Sequence, residues 1–125
     1  MRHLGSCHCQ AVAFEVELPD EIECERCNCS ICAKSGLVQT IIPLRDFTLL
    51  KGKESLSTYT FNTNIAKHTF CSVCGVKAFY TPRSNHDGIS INIAALNTLP
   101  KTVKVVDFDG QNWEKNAASL AHKSQ

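Results

Sequence analysis

Hydrophobic positions in this chain come in short, alternating runs. In "AVAFEVEL", residues 11–18, Val12, Phe14 and Val16 alternate with small or charged neighbours, the period-two pattern of a half-buried strand. "LVQTIIPL", "SLSTYTF", "VKAFYT", "ISINIA" and "VKVVDF" are further β-branched and aromatic runs bounded by Gly, Pro, Asn and Asp. Turns are expected at "PLRD", "LKGKE", "SNHDG" and "FDGQN". Candidate helices are brief: Ile31 to Ser35, Ala94 to Leu99, and the C-terminal stretch. The pattern predicts a small all-β protein of antiparallel sheets, one domain over residues 1–125, with 114–125 a polar tail or frayed helix.

Composition narrows the function classes more than the fold. A chain of 125 residues buries roughly two thirds of the surface that its unfolded form exposes, enough for one core. Thirteen Lys plus Arg stand against twelve Asp plus Glu, so bulk charge suggests neither a nucleic-acid nor a membrane partner. "MRHLGSCHCQ" lacks the apolar core of a secretory signal, and no run approaches the ~20 apolar residues of a membrane span. A soluble, cytoplasmic protein is expected. No Ser–His–Asp arrangement or phosphate-cradling Gly loop is visible, which disfavours hydrolase and kinase chemistry.

The eight cysteines carry the chemistry. A reducing compartment disfavours four disulfides, and the clustered spacings point to metal. Cys7 and Cys9, two apart on an extended segment, face the same way. Cys71 and Cys74, in "FCSVCG", have the C-x-x-C spacing of a zinc knuckle, with Gly75 to permit the turn. Four thiolates from two separated pairs make a closed tetrahedral shell, which predicts a structural zinc. His8 and His68 flank these cysteines and are read as surface or neighbouring groups, since four thiolates already fill a shell. His3, His86 and His122 have no motif around them.

Cys27, Cys29 and Cys32 follow C-x-C-x-x-C in "CNCSICAKSG". Three converging thiolates suit a catalytic zinc whose fourth position is held by water or a substrate atom. The single residue between Cys27 and Cys29 does not fit the usual iron–sulfur spacing.

Three signatures stand in order: "GSCHCQAVAFEV", "CNCSICAKSG" and "FCSVCGVKAFY", followed by "DFDGQNWE" with Asp109, Gly110 and Trp113. Together, from about Gly5 to Trp113, they resemble the glutathione-dependent formaldehyde-activating family, the S-(hydroxymethyl)glutathione synthases and centromere protein V relatives. The resemblance implies a zinc-binding β-tent fold and two zincs. One is structural, on Cys7, Cys9, Cys71 and Cys74; the other is catalytic, on Cys27, Cys29 and Cys32. The implied activity is that of a carbon–sulfur lyase, joining glutathione and formaldehyde or a related small aldehyde in S-(hydroxymethyl)glutathione.

Cys24 departs from that pattern. "CERC" is itself a C-x-x-C pair, so Cys24 could close the second site with a fourth thiolate. Glu25 and Arg26 suggest an exposed loop, where Cys24 would be a free or redox-sensitive thiol. Lys34, Ser35, Arg26, Arg83 and Lys77 are unranked candidates for contact with a glutathione-like ligand. Phe108 and Trp113 read as core anchors. Two classes of function stay open: a zinc-dependent lyase or synthase, and a non-catalytic zinc module of the same fold that binds a protein or thiol ligand.

Overall fold

Five strands form the largest sheet, in the order β10 (Thr102–Phe108), β3 (Glu21–Cys27), β4 (Val38–Pro43), β9 (Gly88–Asn92) and β8 (Phe79–Tyr80). A three-stranded sheet packs with it: β1 (Arg2–Ser6), β2 (Ala13–Glu17) and β5 (Phe47–Lys51). A hairpin of β6 (Leu56–Tyr59) and β7 (His68–Cys71) completes the strands. The computed structural model describes residues 1–125, the side chain of Lys115 excepted.

The alternation read in "AVAFEVEL" is the one that fills the core. Val12, Phe14 and Val16 are all buried, and Phe14 stacks on Phe47 at 5.8 Å between ring centroids. Phe79 meets both rings edge-on, at 5.5 Å and 4.8 Å, so the three aromatics knit β2 and β5 to β8.

Three findings depart from the sequence pattern. First, β3 covers "EIECERC", where a loop was expected; Glu25 is 2 % exposed, with its charge met by Lys123 from the C-terminal stretch. Charged letters masked a strand whose buried carboxylate has a partner far away in sequence. Secondly, β3 and β10 run parallel, in register from Glu21↔Thr102 to Cys27↔Phe108, while the other strand pairs are antiparallel. Thirdly, the polar C-terminal residues fold: α2 (Trp113–Asn116) leads into a 3₁₀ stretch over Ala117–Ser124. Leu120 and Ser124 are buried there, and the Asn85 side chain donates to the Leu120 carbonyl and to Ser124 Oγ, both at 2.8 Å.

The parallel pairing positions the site. It delivers the "FDGQN" turn directly beside the loop that follows Cys27. Asn28 then fastens the two: its Nδ2 donates to Asp109 Oδ1 at 3.1 Å, and its Oδ1 accepts from the Gln111 amide at 2.9 Å.

Candidate metal and ligand site

The first cysteine group joins two turns. The Cys7–Gln10 turn closes through the Gln10 amide on the Cys7 carbonyl, and the Cys71–Gly75 turn through Gly75, at φ 79°, on the Cys71 carbonyl. Cys9 Sγ lies 3.6 Å from Cys7 Sγ and 3.7 Å from Cys71 Sγ, and all four sulfurs including Cys74 fall within 4.8 Å of one another. A tetrahedron with metal–sulfur bonds of about 2.3 Å has edges of about 3.8 Å, so the group fits a four-thiolate ion without rearrangement. His8 is exposed beside it.

The second group arises where β3 ends. Cys27 is its last residue, Cys29 precedes α1 (Ser30–Ser35), and Cys32 sits one turn into that helix. Gly36, at φ 65°, stops the helix with its amide on the Cys32 carbonyl. The three sulfurs lie within 4.8 Å of one another. Hydrogen bonding from the Cys27 and Cys32 thiols pulls the Cys29 thiol below its ordinary range. Three soft anionic donors converging from one loop fit a metal ion with a position to spare.

Cys24 is not among them. It is fully buried and packs in the main core with Ile22, whereas Cys27 and Cys32 belong to a smaller cluster with Leu37 and Tyr80. Burial pushes the Cys24 thiol up to about 11. The exposed-loop expectation is corrected on this point: the strand holds Cys24 inside.

Beside the second group lies a cavity of about 390 Å³, lined by all three cysteines and by Gln39, Phe61, His68, Tyr80, Arg83 and Trp113 among others. Its size falls in the roughly 300–1,000 Å³ range of small-molecule sites. A second recess, reaching Arg26, Asp107 and Asp109, touches Cys27 and Cys32 but not Cys29. Of these two, the first meets the complete trio.

Several of its polar groups are tied down. Tyr80 OH donates to Gln39 Oε1, Ser90 Oγ donates to the same oxygen at 2.7 Å, and Tyr80 OH stands 4.0 Å from Cys32 Sγ. Burial pushes the Tyr80 phenol well up, so it stays protonated. His68 stacks on Tyr80 at 5.0 Å and on Phe61 at 5.6 Å. Its Nδ1 is 2.6 Å from Lys77 Nζ, and burial holds its pKa down to about 4, so a neutral ring accepts from the lysine.

Of the ligand-contact candidates, Arg83 lines the cavity. Lys77 approaches through His68, while Lys34 is exposed and Ser35 donates to the Ile31 carbonyl of its own helix. Phe108 and Trp113, expected as core anchors, are half-buried cavity walls. Gln39, Tyr80 and Ser90 escaped the sequence reading. For Gln39 and Ser90 the signal was polar residues set among the apolar positions of a strand, as in "LVQTII" and "GISINI". Among the described residues, no helix is long and apolar enough to cross a membrane.

A sequence profile described as glutathione-dependent formaldehyde-activating enzyme matches residues 2–115. A Halomonas elongata protein, assigned provisionally by its name to the glutathione-dependent formaldehyde-activating enzymes, is 36% identical over 78 residues. That match covers 56% of this chain and 50% of the relative, so the chain spans about half the length of the curated protein. The crystal structure of a Rhodobacter sphaeroides protein from structural genomics superposes with a TM-score of 0.72 and 36% identity. It covers 82% of this chain and 99% of that one. With the profile spanning nearly its full length, the chain belongs to the glutathione-dependent formaldehyde-activating enzyme family.

Proposed function

We propose that this protein is a zinc-dependent carbon–sulfur lyase or synthase that condenses glutathione with formaldehyde, or a related small aldehyde, to S-(hydroxymethyl)glutathione. The observation that carries the reading is the three-thiol cluster opening onto a cavity of about 390 Å³, while the four-thiol cluster fills its own shell. All-thiolate donor sets suit zinc. Cys7, Cys9, Cys71 and Cys74 would hold a structural ion; Cys27, Cys29 and Cys32 would hold the catalytic one. When bound, that second ion supplies Lewis acidity, lowering the pKa of a thiol or polarising a carbonyl.

In the reaction the glutathione sulfur forms a bond to the aldehyde carbon, the carbonyl π bond breaks, and the thiol proton ends on the new hydroxyl. The uncatalysed addition is facile, so the protein's share is chiefly proximity and orientation. Phe61 and Trp113 give the cavity apolar walls. Gln39 fixes Tyr80 by accepting a hydrogen bond from its hydroxyl, which keeps the ring as a rigid wall beside Cys32. The neutral His68 ring places no positive charge against the thiolates.

Elemental analysis should find two zincs per chain. Exchange spectroscopy on ¹³C-formaldehyde and glutathione should show condensation faster than the buffer rate. One metal per chain, or exchange at the buffer rate, would sink the enzymatic reading and leave a thiol-binding zinc module. Cobalt in the second site should change its absorption when glutathione is added.

A further inference from the structure

Arg83 shares the cavity with the three thiols, and its surroundings are unusual for an arginine. The guanidinium lies on the Trp113 indole, with Cζ 3.6 Å from the ring centroid, which restrains it as a flat plate. Nη2 donates to Glu114 Oε1 at 2.8 Å. Nε, in contrast, is shut off from solvent and has no acceptor among the described residues. Buried donors almost always find a partner, so this one calls for an occupant.

Nε and Nη2 form the side of a guanidinium that receives a carboxylate through two parallel hydrogen bonds. Glu114, with its side chain 83% exposed, fills only the Nη2 half. We infer that Arg83 is a specificity-determining residue whose Nε–Nη2 edge captures a carboxylate of an organic thiol acid, displacing Glu114, the resident counter-ion. The cavity thus offers three thiols for sulfur and a guanidinium for the carboxylate, with Phe61 and Trp113 in its apolar lining. The inference rests on the reading of Cys27, Cys29 and Cys32 as the place where the thiol binds. It commits to glutathione as the thiol acid to be tried.

The test is calorimetric titration of the metal-loaded full chain with glutathione and with its diethyl ester, which keeps the thiol and loses both carboxylates. The natural protein should prefer the acid by about 10- to 100-fold, the range of a charge-assisted hydrogen-bonded pair. Arg83→Gln should abolish that preference by weakening the acid alone. Arg83→Lys should restore part of it, as a point charge without the fork. Glu114→Gln should tighten the acid a few-fold by removing the competitor. An unchanged preference in Arg83→Gln, an equal loss for acid and ester, or no binding of either probe overturns the inference. Condensation is measured separately. An Arg83-dependent preference without condensation keeps the inference and removes the enzymatic reading; condensation without the preference does the reverse.

Discussion

Gly110 lies so close to Cys27 that a Cβ on the glycine would overlap the Cys27 sulfur and stand 3.0 Å from Cys29 Cβ. The parallel β3–β10 pairing and the Asn28–Asp109 bond hold the two loops in that contact. The glycine in "FDGQN" is thus needed for the room it leaves beside the thiols.

Gly110→Ala should therefore act on the second cysteine group and spare the first. The loops must separate by most of an ångström for the Cβ to clear the Cys27 sulfur, at about 1–3 kcal/mol for overpacking. Elemental analysis should show one metal lost per chain, with the fold retained by circular dichroism. Two metals at native affinity would mean that the loops yield without disturbing Cys27.

The two cysteine groups should respond differently to serine. Cys7 and Cys71 are sixty-four residues apart, and closing such a loop costs about 3–4 kcal/mol, against ~10–16 kcal/mol from a bound structural zinc. Cys71→Ser should leave the domain unfolded at 25 °C. Cys32→Ser should remove one metal and all glutathione-dependent spectral change, while thermal melting remains cooperative. Cys24→Ser should keep both metals, because the core strand holds Cys24 away from the ligand trio; the buried hydroxyl should cost about 1–3 kcal/mol in urea titrations. Loss of a metal in Cys24→Ser would show that the strand lets Cys24 reach the site.

The contrast between Cys24 and Cys27 marks how far the sequence could be read. Spacing singled out Cys7, Cys9, Cys71 and Cys74 as one group and Cys27, Cys29 and Cys32 as another, and the fold brings each group together. Spacing works there because each half-group is local, held by a turn of a few residues. What spacing missed is non-local. Glu25 looked exposed because its partner, Lys123, lies ninety-eight residues away. Tyr80 and Gln39 meet only because β4 and β8 both flank β9, so no local pattern pairs them. Trp113 read as a core anchor because sequence does not show which aromatic will carry an arginine.

His68 should make the protein acid-sensitive above the usual carboxylate range. Its folded pKa, held down to about 4 by burial first and Lys77 second, lies below the unfolded value of 6.5. The unfolded chain therefore binds the extra proton, and stability falls as pH drops from 6.5 towards 4. Between pH 7 and pH 5 this amounts to about 2 kcal/mol. His68→Gln can still accept from Lys77 but does not titrate. Urea titrations at both pH values should give a smaller pH difference in the variant, by about that amount; equal differences would mean that the imidazole titrates normally.

The Glu25–Lys123 pair should show the opposite sign. The Glu25 side chain is buried at 2% exposure and Lys123 is largely covered at 12%, and Glu25 Oε2 has no partner among the described residues. Burial raises the Glu25 carboxyl and Lys123 opposes that rise. A carboxyl raised on folding is protonated more readily in the native state, so it lowers stability as pH climbs above its unfolded value of about 4.3. Lys123→Met removes the opposing cation and raises Glu25 further. The variant should lose about 3–5 kcal/mol at pH 8, where an uncompensated carboxylate is trapped, and less at pH 5, where the group can take a proton. Adding Glu25→Gln should recover most of the pH 8 loss. The same docking holds Leu120 against the cavity, so Lys123→Met should also weaken glutathione binding at pH 8, with recovery in the double variant. A loss that is equal at both pH values would mean that Lys123 contributes packing alone.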